Sequence, residues 1–493
     1  MSYNSIAIAY GDGIGPEIMQ ATMSIIAASK AVFKVEPIEL GKEVYEKGWE
    51  FGIADSSWQV IERNKILLKA PLTTPQGKGY KSLNVKLRKV LGLYLNIRPV
   101  KSFINDDGID MVIIRENDED LYSGIEYQNT VDSAECAKII TYGSSSRVIR
   151  YAFDLAKHNN RKQVACMVKD NIMKMTDGIF HNEFKRIKED YKKIETKSYI
   201  IDIGSALIAK YPQMFDVVVT SNLYGDIISD IAAEVTGSVG MAGGINLGKD
   251  YAMFEAVHGS APDIAGLGIA NPSGLLQGAI SMLNYIGFAK QSKIIFDAWY
   301  NVVQSGIHTA DIYKEGKSTA KVNCSEFTQE IIKKIEEKVT NRENHNISLI
   351  PLKKANDPAP KDKKRTLIGI DLFIDRKSNS ISSILNALKS EYKNDIYAEI
   401  IYNGSIIDGL GDEKFTSNEF KIRRAVRNDK DCGRYLCVRL ITIKSKDEKI
   451  YNKIDGDIIN PYQKSLEKLD IDITKINYLY QWADEALSFA LMY

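Results

Sequence analysis

Residues 72–101 read LTTPQGKGYKSLNVKLRKVLGLYLNIRPVK. Small hydroxyl and amide side chains (Thr73, Thr74, Ser82, Asn84) stand beside two arginines, Arg88 and Arg98, and a third, Arg115, closes the next apolar run. Guanidinium forks take carboxylates bidentately, and short polar side chains add the hydrogen bonds that orient them. The stretch therefore predicts a pocket for a small polyanion with several carboxylates. On composition alone a solvated helix face accounts for the same arginines, so the flanking pattern has to choose.

Just upstream, KILLK (65–69) reads as a buried strand leading into this stretch, and MVII (111–114) as another that ends at Arg115. Ligands of open α/β sheets collect at the carboxyl ends of strands, which supports a binding role. Nearer the N-terminus, an apolar run (6–10) ends in GDGIGPE (11–17) and passes into a helical period through Met19, Met23, Ile26 and Ala27. Pro16 suits the first helical position, and Glu17 complements the macrodipole. Gly-x-Gly-x-Gly is not the dinucleotide fingerprint Gly-x-Gly-x-x-Gly, so a Rossmann reading fails and a tight turn remains.

Further on, VACMV (164–168) reads as a strand that delivers Lys169, which on its own is an ordinary solvated lysine. FDVVVT (215–220) is a strand feeding a helix that carries Asp226 and Asp230. Four apart, these carboxylates share a helix face, where like charges cost about 0.2–0.5 kcal/mol. A cation between them turns the repulsion into attraction, and hard oxygen donors suit Mg²⁺ or Mn²⁺ rather than zinc. Two exposed helix caps are the competing reading. GSVGMAGGINLG (237–248) reads as a flexible glycine-rich passage, and FEAVHGSAPDIAG (254–266) holds His258, the one histidine set in a motif. His158, His181, His308 and His345 read as incidental.

A chain of 493 residues suggests about three structural units. A net charge of +1 gives no field to draw in nucleic acid or an anionic membrane, and no apolar run reaches membrane-spanning length. The N-terminus does not read as a signal peptide. Five scattered cysteines without metal-ligand spacing read as thiols in a reducing compartment, so a cytoplasmic protein is expected.

Taken together, these motifs resemble the β-decarboxylating dehydrogenases of the isocitrate/isopropylmalate dehydrogenase family, and within it the branch acting on isocitrate, over roughly residues 5–335. The resemblance implies an α/β, non-Rossmann fold with a large domain (about 1–95 and 238–349) and a small domain with an intersubunit clasp (about 96–237). It implies that Ser82, Asn84, Arg88, Arg98 and Arg115 meet isocitrate, that Tyr122 donates a proton to the enol, and that Lys169 removes the hydroxyl proton from across a homodimer with shared active sites, a higher oligomer being the alternative. Asp202 would join Asp226 and Asp230 at Mg²⁺ or Mn²⁺, again from the second copy. Thr73, Asn171, His258, Gly259, Ser260, Ala261, Pro262, Asp263, Ile264 and Asn271 would line the cofactor. A carboxylate at 263 accepts hydrogen bonds from both ribose hydroxyls and repels a 2′-phosphate, so NAD is expected, with NADP the alternative. Asp170 departs from the small residue usual after the lysine, and a carboxylate there would favour the charged lysine. Homoisocitrate, 3-isopropylmalate and a non-catalytic regulatory subunit are the other readings; the polar pair Ser82 and Asn84 argues against isopropylmalate.

IPLKKANDPAPKDKKR (350–365) reads as a linker. Beyond it, 366–493 reads as an α+β domain of ferredoxin-like type with an assembly or regulatory role. Strands are expected at 366–374, 398–402 and 435–443, with helices at 380–392, 461–469 and 480–491.

Overall fold

The computed structural model describes residues 5–49, 52–75, 80–104, 107–340, 347–352, 365–377, 379–389, 396–402, 405–410, 435–442 and 456–482. The chain divides into two compact units, 1–123 with 138–359, and 124–137 with 360–493.

From the N-terminus the chain forms β1 (Ser5–Ala9), α1 (Gly15–Ala28), β2 (Lys34–Ile38), α2 (Lys42–Glu46), α3 (Asp55–Asn64), β3 (Ile66–Lys69), α4 (Leu83–Val90), β4 (Leu95–Lys101) and β5 (Asp110–Glu116). A hairpin of β6 (Glu126–Thr130) and β7 (Ser133–Cys136) precedes α5 (Tyr142–His158), β8 (Gln163–Val168), α6 (Thr176–Ile187), β9 (Glu195–Ile200), α7 (Ile201–Lys210), β10 (Val217–Thr220) and α8 (Asn222–Val235). The first unit ends through β11 (Gly243–Leu247), β12 (Ala252–Ala256), α9 (Ser273–Tyr285), α10 (Ala289–Gln304), the short pair β13 (Ile307–His308) and β14 (Ala320–Lys321), and α11 (Cys324–Glu336).

Ten strands make one mixed sheet in the order β2-β1-β3-β12-β11-β4-β5-β10-β8-β9. Its flanks are parallel, but the centre, β12-β11-β4-β5, is antiparallel, which a doubly wound dinucleotide fold lacks. Every residue of β3, β8, β10, β11 and β12 is buried. Strands covered on both faces need apolar side chains throughout, which is why KILLK, VACMV and FDVVVT are legible as unbroken runs. One sheet thus runs through both of the expected lobes. Its strands β3, β5, β8, β10 and β12 end at the segments that carry the candidate site residues.

Several local expectations change. Pro16 takes the second helical position, because α1 opens at Gly15. The glycine-rich passage at 237–248 is not a flexible connector: it holds β11, a central strand. A Cβ on Gly243 would lie 2.6 Å from the backbone nitrogen of Gly278, so glycine serves close packing against α9 rather than mobility.

In the second unit, β15 (Arg365–Asp375), α12 (Ile381–Lys389), β16 (Ile396–Tyr402), β17 (Ser405–Leu410), β18 (Tyr435–Thr442), α13 (Gly456–Glu467) and β19 (Asp472–Trp482) follow one another. The antiparallel order β16-β18-β15-β19 is ferredoxin-like, with β17 added at the edge. Ile370, Leu372, Leu436 and Val438 from the sheet pack on Ile384, Leu388, Tyr462 and Leu466 from the two helices. The helix expected at 480–491 is corrected at its start: residues up to Trp482 belong to β19, whose alternating pattern from Asp472 suits a strand, and the remainder lies outside the described residues. Residues 124–137, expected within the catalytic region, group by packing with this unit; Lys475 of β19 pairs with Glu135 of the hairpin at 2.6 Å. Most of the expected linker lies outside the described residues.

Candidate active site

Asp226, in the second turn of α8, is the meeting point. Its Oδ1 accepts from Arg98 Nη2 at 3.1 Å and from Arg115 Nη1, and its Oδ2 accepts from the Tyr122 hydroxyl. Arg98 extends its other nitrogen to Asp230 at 3.2 Å and to Ser229, while its Nε is fixed by Asn96 at 2.9 Å. Arg115 is fully buried and lies flat against α8, where a Cβ on Gly225 would come within 2.5 Å of its Cγ. Asn222 Oδ1 accepts from Arg115 Nε and Nη2 at 3.0 and 2.7 Å.

Burial opposes charge on Asp226, yet Arg115 and Arg98 hold its carboxyl at about 2. Burial, with Arg98 nearby, lowers the Arg115 guanidinium to about 10. Burial and the charge of Asp226 together push the Tyr122 phenol up. Arg88 acts electrostatically on all three of these groups.

Arg88 itself rests on Glu255 (3.1 Å), which also takes the buried ammonium of Lys69 (2.9 Å) and the amide of Asn246 (2.7 Å). Burial works against the Glu255 carboxylate, but Lys69 and Arg88 hold it well below its ordinary range. Two atoms here lack partners: Asn84 Oδ1 and Arg88 Nε. Ser82 caps α4 and receives the Thr74 hydroxyl at 3.3 Å. Three guanidinium groups gathered beside unmatched hydrogen-bonding atoms suit an anion with several carboxylates.

The glycine turn after β1 is pinned to the loop at 258–264. Ile14 N donates to Ser260 O at 2.9 Å, and the Thr73 and Ser260 hydroxyls meet at 2.8 Å. Gly13 has φ +59°, and a Cβ there would stand 2.0 Å from Ser260 O. Ala261 sits at φ +41°, unusual for a residue with a side chain, and leads into a single 3₁₀ turn, Pro262–Ile264, with Asp263 exposed. His258 keeps an unpartnered Nε2, and burial pushes its pKa down, so the ring is neutral at pH 7. Asn271 is committed within the fold: its amide donates to Asp311 at 3.0 Å and its oxygen takes Ser273 N at 2.9 Å.

Lys169 leaves β8 and pairs with both carboxylate oxygens of Asp202 in α7. Among the described residues no hydrogen bond or ion pair links this pair to the cluster that Asp226 makes with the arginines and Tyr122. Asp170 turns away from the lysine to His181 Nδ1 at 2.5 Å, so the expected influence of Asp170 on Lys169 is redirected to a histidine that no sequence motif marks. Asn171 is exposed in the turn that follows. Among the described residues no three His, Cys, Asp or Glu side chains converge as a metal site. Asp226 and Asp230 offer hard oxygen donors on one helix face beside the arginines, a chemistry that fits Mg²⁺ or Mn²⁺ rather than zinc.

The family model for isocitrate/isopropylmalate dehydrogenase matches residues 5–331. A Rickettsia bellii protein named as an NADP-type isocitrate dehydrogenase is 42% identical over 99% of each chain. An Arabidopsis thaliana protein named as a mitochondrial NAD-type catalytic subunit is 41% identical, covering 65% of this chain and 86% of its own length. The solved TT0538 protein of Thermus thermophilus superposes with a TM-score of 0.86 at 28% identity, over 99% of this chain and 95% of its own.

Proposed function

Because the chain belongs to the isocitrate/isopropylmalate dehydrogenase family, we propose that it catalyses the oxidative decarboxylation of isocitrate to 2-oxoglutarate and CO₂, reducing a nicotinamide dinucleotide. The observation that carries this reading is the convergence of Arg98 and Arg115 on one carboxylate, with Arg88 in electrostatic range and Asn84 unmatched beside it. The arginines orient the tricarboxylate so that one carbon faces the nicotinamide, which accepts the hydride when bound. Lys169 takes the proton of the C2 hydroxyl, and Tyr122 protonates the enol left by CO₂ loss. A phenol pushed above its usual range is fully protonated at neutral pH and able to donate. Asp226, Asp230 and a second copy's Asp202 would hold a divalent cation, which would supply Lewis acidity when bound.

The reading requires two copies. Ile172, Met175 and Ile179 around the start of α6, Ile203 of α7 and Ile227 of α8 are all exposed apolar side chains close to the Lys169–Asp202 pair or to Asp226 in sequence. Exposed apolar side chains beside the proposed shared residues support a homodimer face. The described cysteines are all free thiols, which supports a reducing compartment.

The choice of cofactor divides the supports. Asp263 favours NAD, because its carboxylate repels a 2′-phosphate; the NADP-type name of the full-length Rickettsia relative favours NADP. Purified protein with isocitrate and Mg²⁺, assayed against NAD⁺ and NADP⁺ by absorbance of the reduced nicotinamide, decides both questions. Turnover with isocitrate and a higher kcat/KM for NAD⁺ is expected. Turnover of 3-isopropylmalate or homoisocitrate instead would overturn the substrate, and a preference for NADP⁺ would overturn the reading of Asp263.

A further inference from the structure

Behind α8, on the side away from the arginines, lies a buried charge cluster with no part in the chemistry above. Lys138, the first residue after the β6–β7 hairpin to rejoin the first unit, places its ammonium 3.0 Å from Asp120 Oδ1 and 3.1 Å from Asp177 Oδ1. The lysine side chain is 10% exposed and the two aspartates 0% and 2%. The ammonium also stands 4.5 Å over the ring of Tyr224, whose hydroxyl interacts electrostatically with Asp177.

Each partner is tied to one element of the site. Asp120 precedes Tyr122 by two residues and adopts φ +66°; its Oδ2 accepts Leu223 N at 3.0 Å, capping α8, and its own N–H goes to Ile139 O at 2.8 Å. Asp177, in the first turn of α6, accepts the backbone N–H of Lys169 at 2.6 Å. Tyr224 lies two residues before Asp226 in α8, about 200° round the helix, so one residue faces the cluster while the other faces the arginines. The two carboxylates outnumber the one ammonium, and the amino ends of α6 and α8 supply the remaining positive potential.

We propose that Lys138 is a positioning residue for the oxidative decarboxylation: one buried ammonium fixes the loop of Tyr122, the helix of Asp226 and the strand end of Lys169 in a single frame. The proposal rests on the roles given above to Tyr122, Lys169 and Asp226. A side chain that locks reacting groups through partners of this kind changes turnover by about 10- to 100-fold while leaving contacts to the bound substrate in place.

The test compares Lys138→Met, Lys138→Arg, Asp177→Asn and the double variant Lys138→Met/Asp177→Asn in the full-length protein, with Tyr122→Phe and Lys169→Met as references. Thermal midpoints, kcat, isocitrate KM and isocitrate affinity by calorimetry are read for each. Lys138→Met is expected to lose roughly tenfold or more in kcat with KM and affinity within about threefold, and Lys138→Arg to recover part of the loss. The double variant, which neutralises a buried carboxylate together with the lysine, is expected to fall short of the product of its single losses; if Lys138→Met alone does not fold, Lys138→Arg carries the test, with a kcat loss at unchanged KM expected and wild-type kcat overturning the role. Wild-type kcat in Lys138→Met, parallel loss of affinity and turnover, or independent effects in the double variant would each overturn the positioning role. If instead Tyr122→Phe and Lys169→Met are fully active, it is the assignment of the chemistry that fails.

Discussion

At the scale of single residues, the side chains that the sequence can name are those in motifs, and the ones it cannot are their buried counter-charges. Arg88, Arg98 and Arg115 stand out because guanidinium groups beside small polar residues are a pattern. Nothing local marks Glu255 as the anion beneath Arg88 and Lys69, or Lys138 as the cation between Asp120 and Asp177; these pairings join residues well apart in the chain. Glu255→Gln leaves two buried cations without their anion and should destabilise the protein by about 3–5 kcal/mol in urea unfolding. A loss below about 1 kcal/mol would contradict the assigned pairing. Glu116 gives a second, pH-dependent test. Burial pushes it up to about 7, although the Asp118 and Glu119 N–H groups and Ser144 favour its charge. The unfolded carboxyl titrates near ~4.3, so between these values the folded protein holds a proton that the unfolded chain has released. Its stabilising contribution is therefore complete below ~4.3 and is lost as pH rises toward about 7. Relative to Glu116→Gln, the wild type should lose up to about 3 kcal/mol of unfolding free energy across that window. A difference that does not change with pH would refute the buried, protonated state.

At the scale of elements, the strands buried on both faces are legible as apolar runs, and their carboxyl ends lead to the candidate site. Glycine misleads at β11, where close approach to α9 and not flexibility explains Gly243. The helix expected from residue 480 gives way at its start likewise: Tyr478, Tyr480 and Trp482 alternate, which is a strand period, and β19 runs to Trp482. Gly243→Ala tests the first correction. An added methyl that meets backbone 2.6 Å away should cost about 1–3 kcal/mol by overpacking, measured by thermal or denaturant unfolding. An unchanged midpoint would restore the flexible reading.

At the scale of the whole molecule, the proposed chemistry divides between two groups of side chains in one chain. Asp226, Asp230, Tyr122, Arg98 and Arg115 are in contact in one group, and Lys169 and Asp202 pair in the other. Our account has these halves meet across a homodimer, so Lys169→Met and Asp226→Asn should each be inactive alone and complement when mixed. The measurement is turnover of isocitrate after the two purified variants are unfolded together and refolded. Random pairing makes half of the dimers mixed, each with one intact site, so activity should return to about a quarter of wild type. A mixture as inactive as its parents, with refolding verified on the wild type, would contradict the shared site.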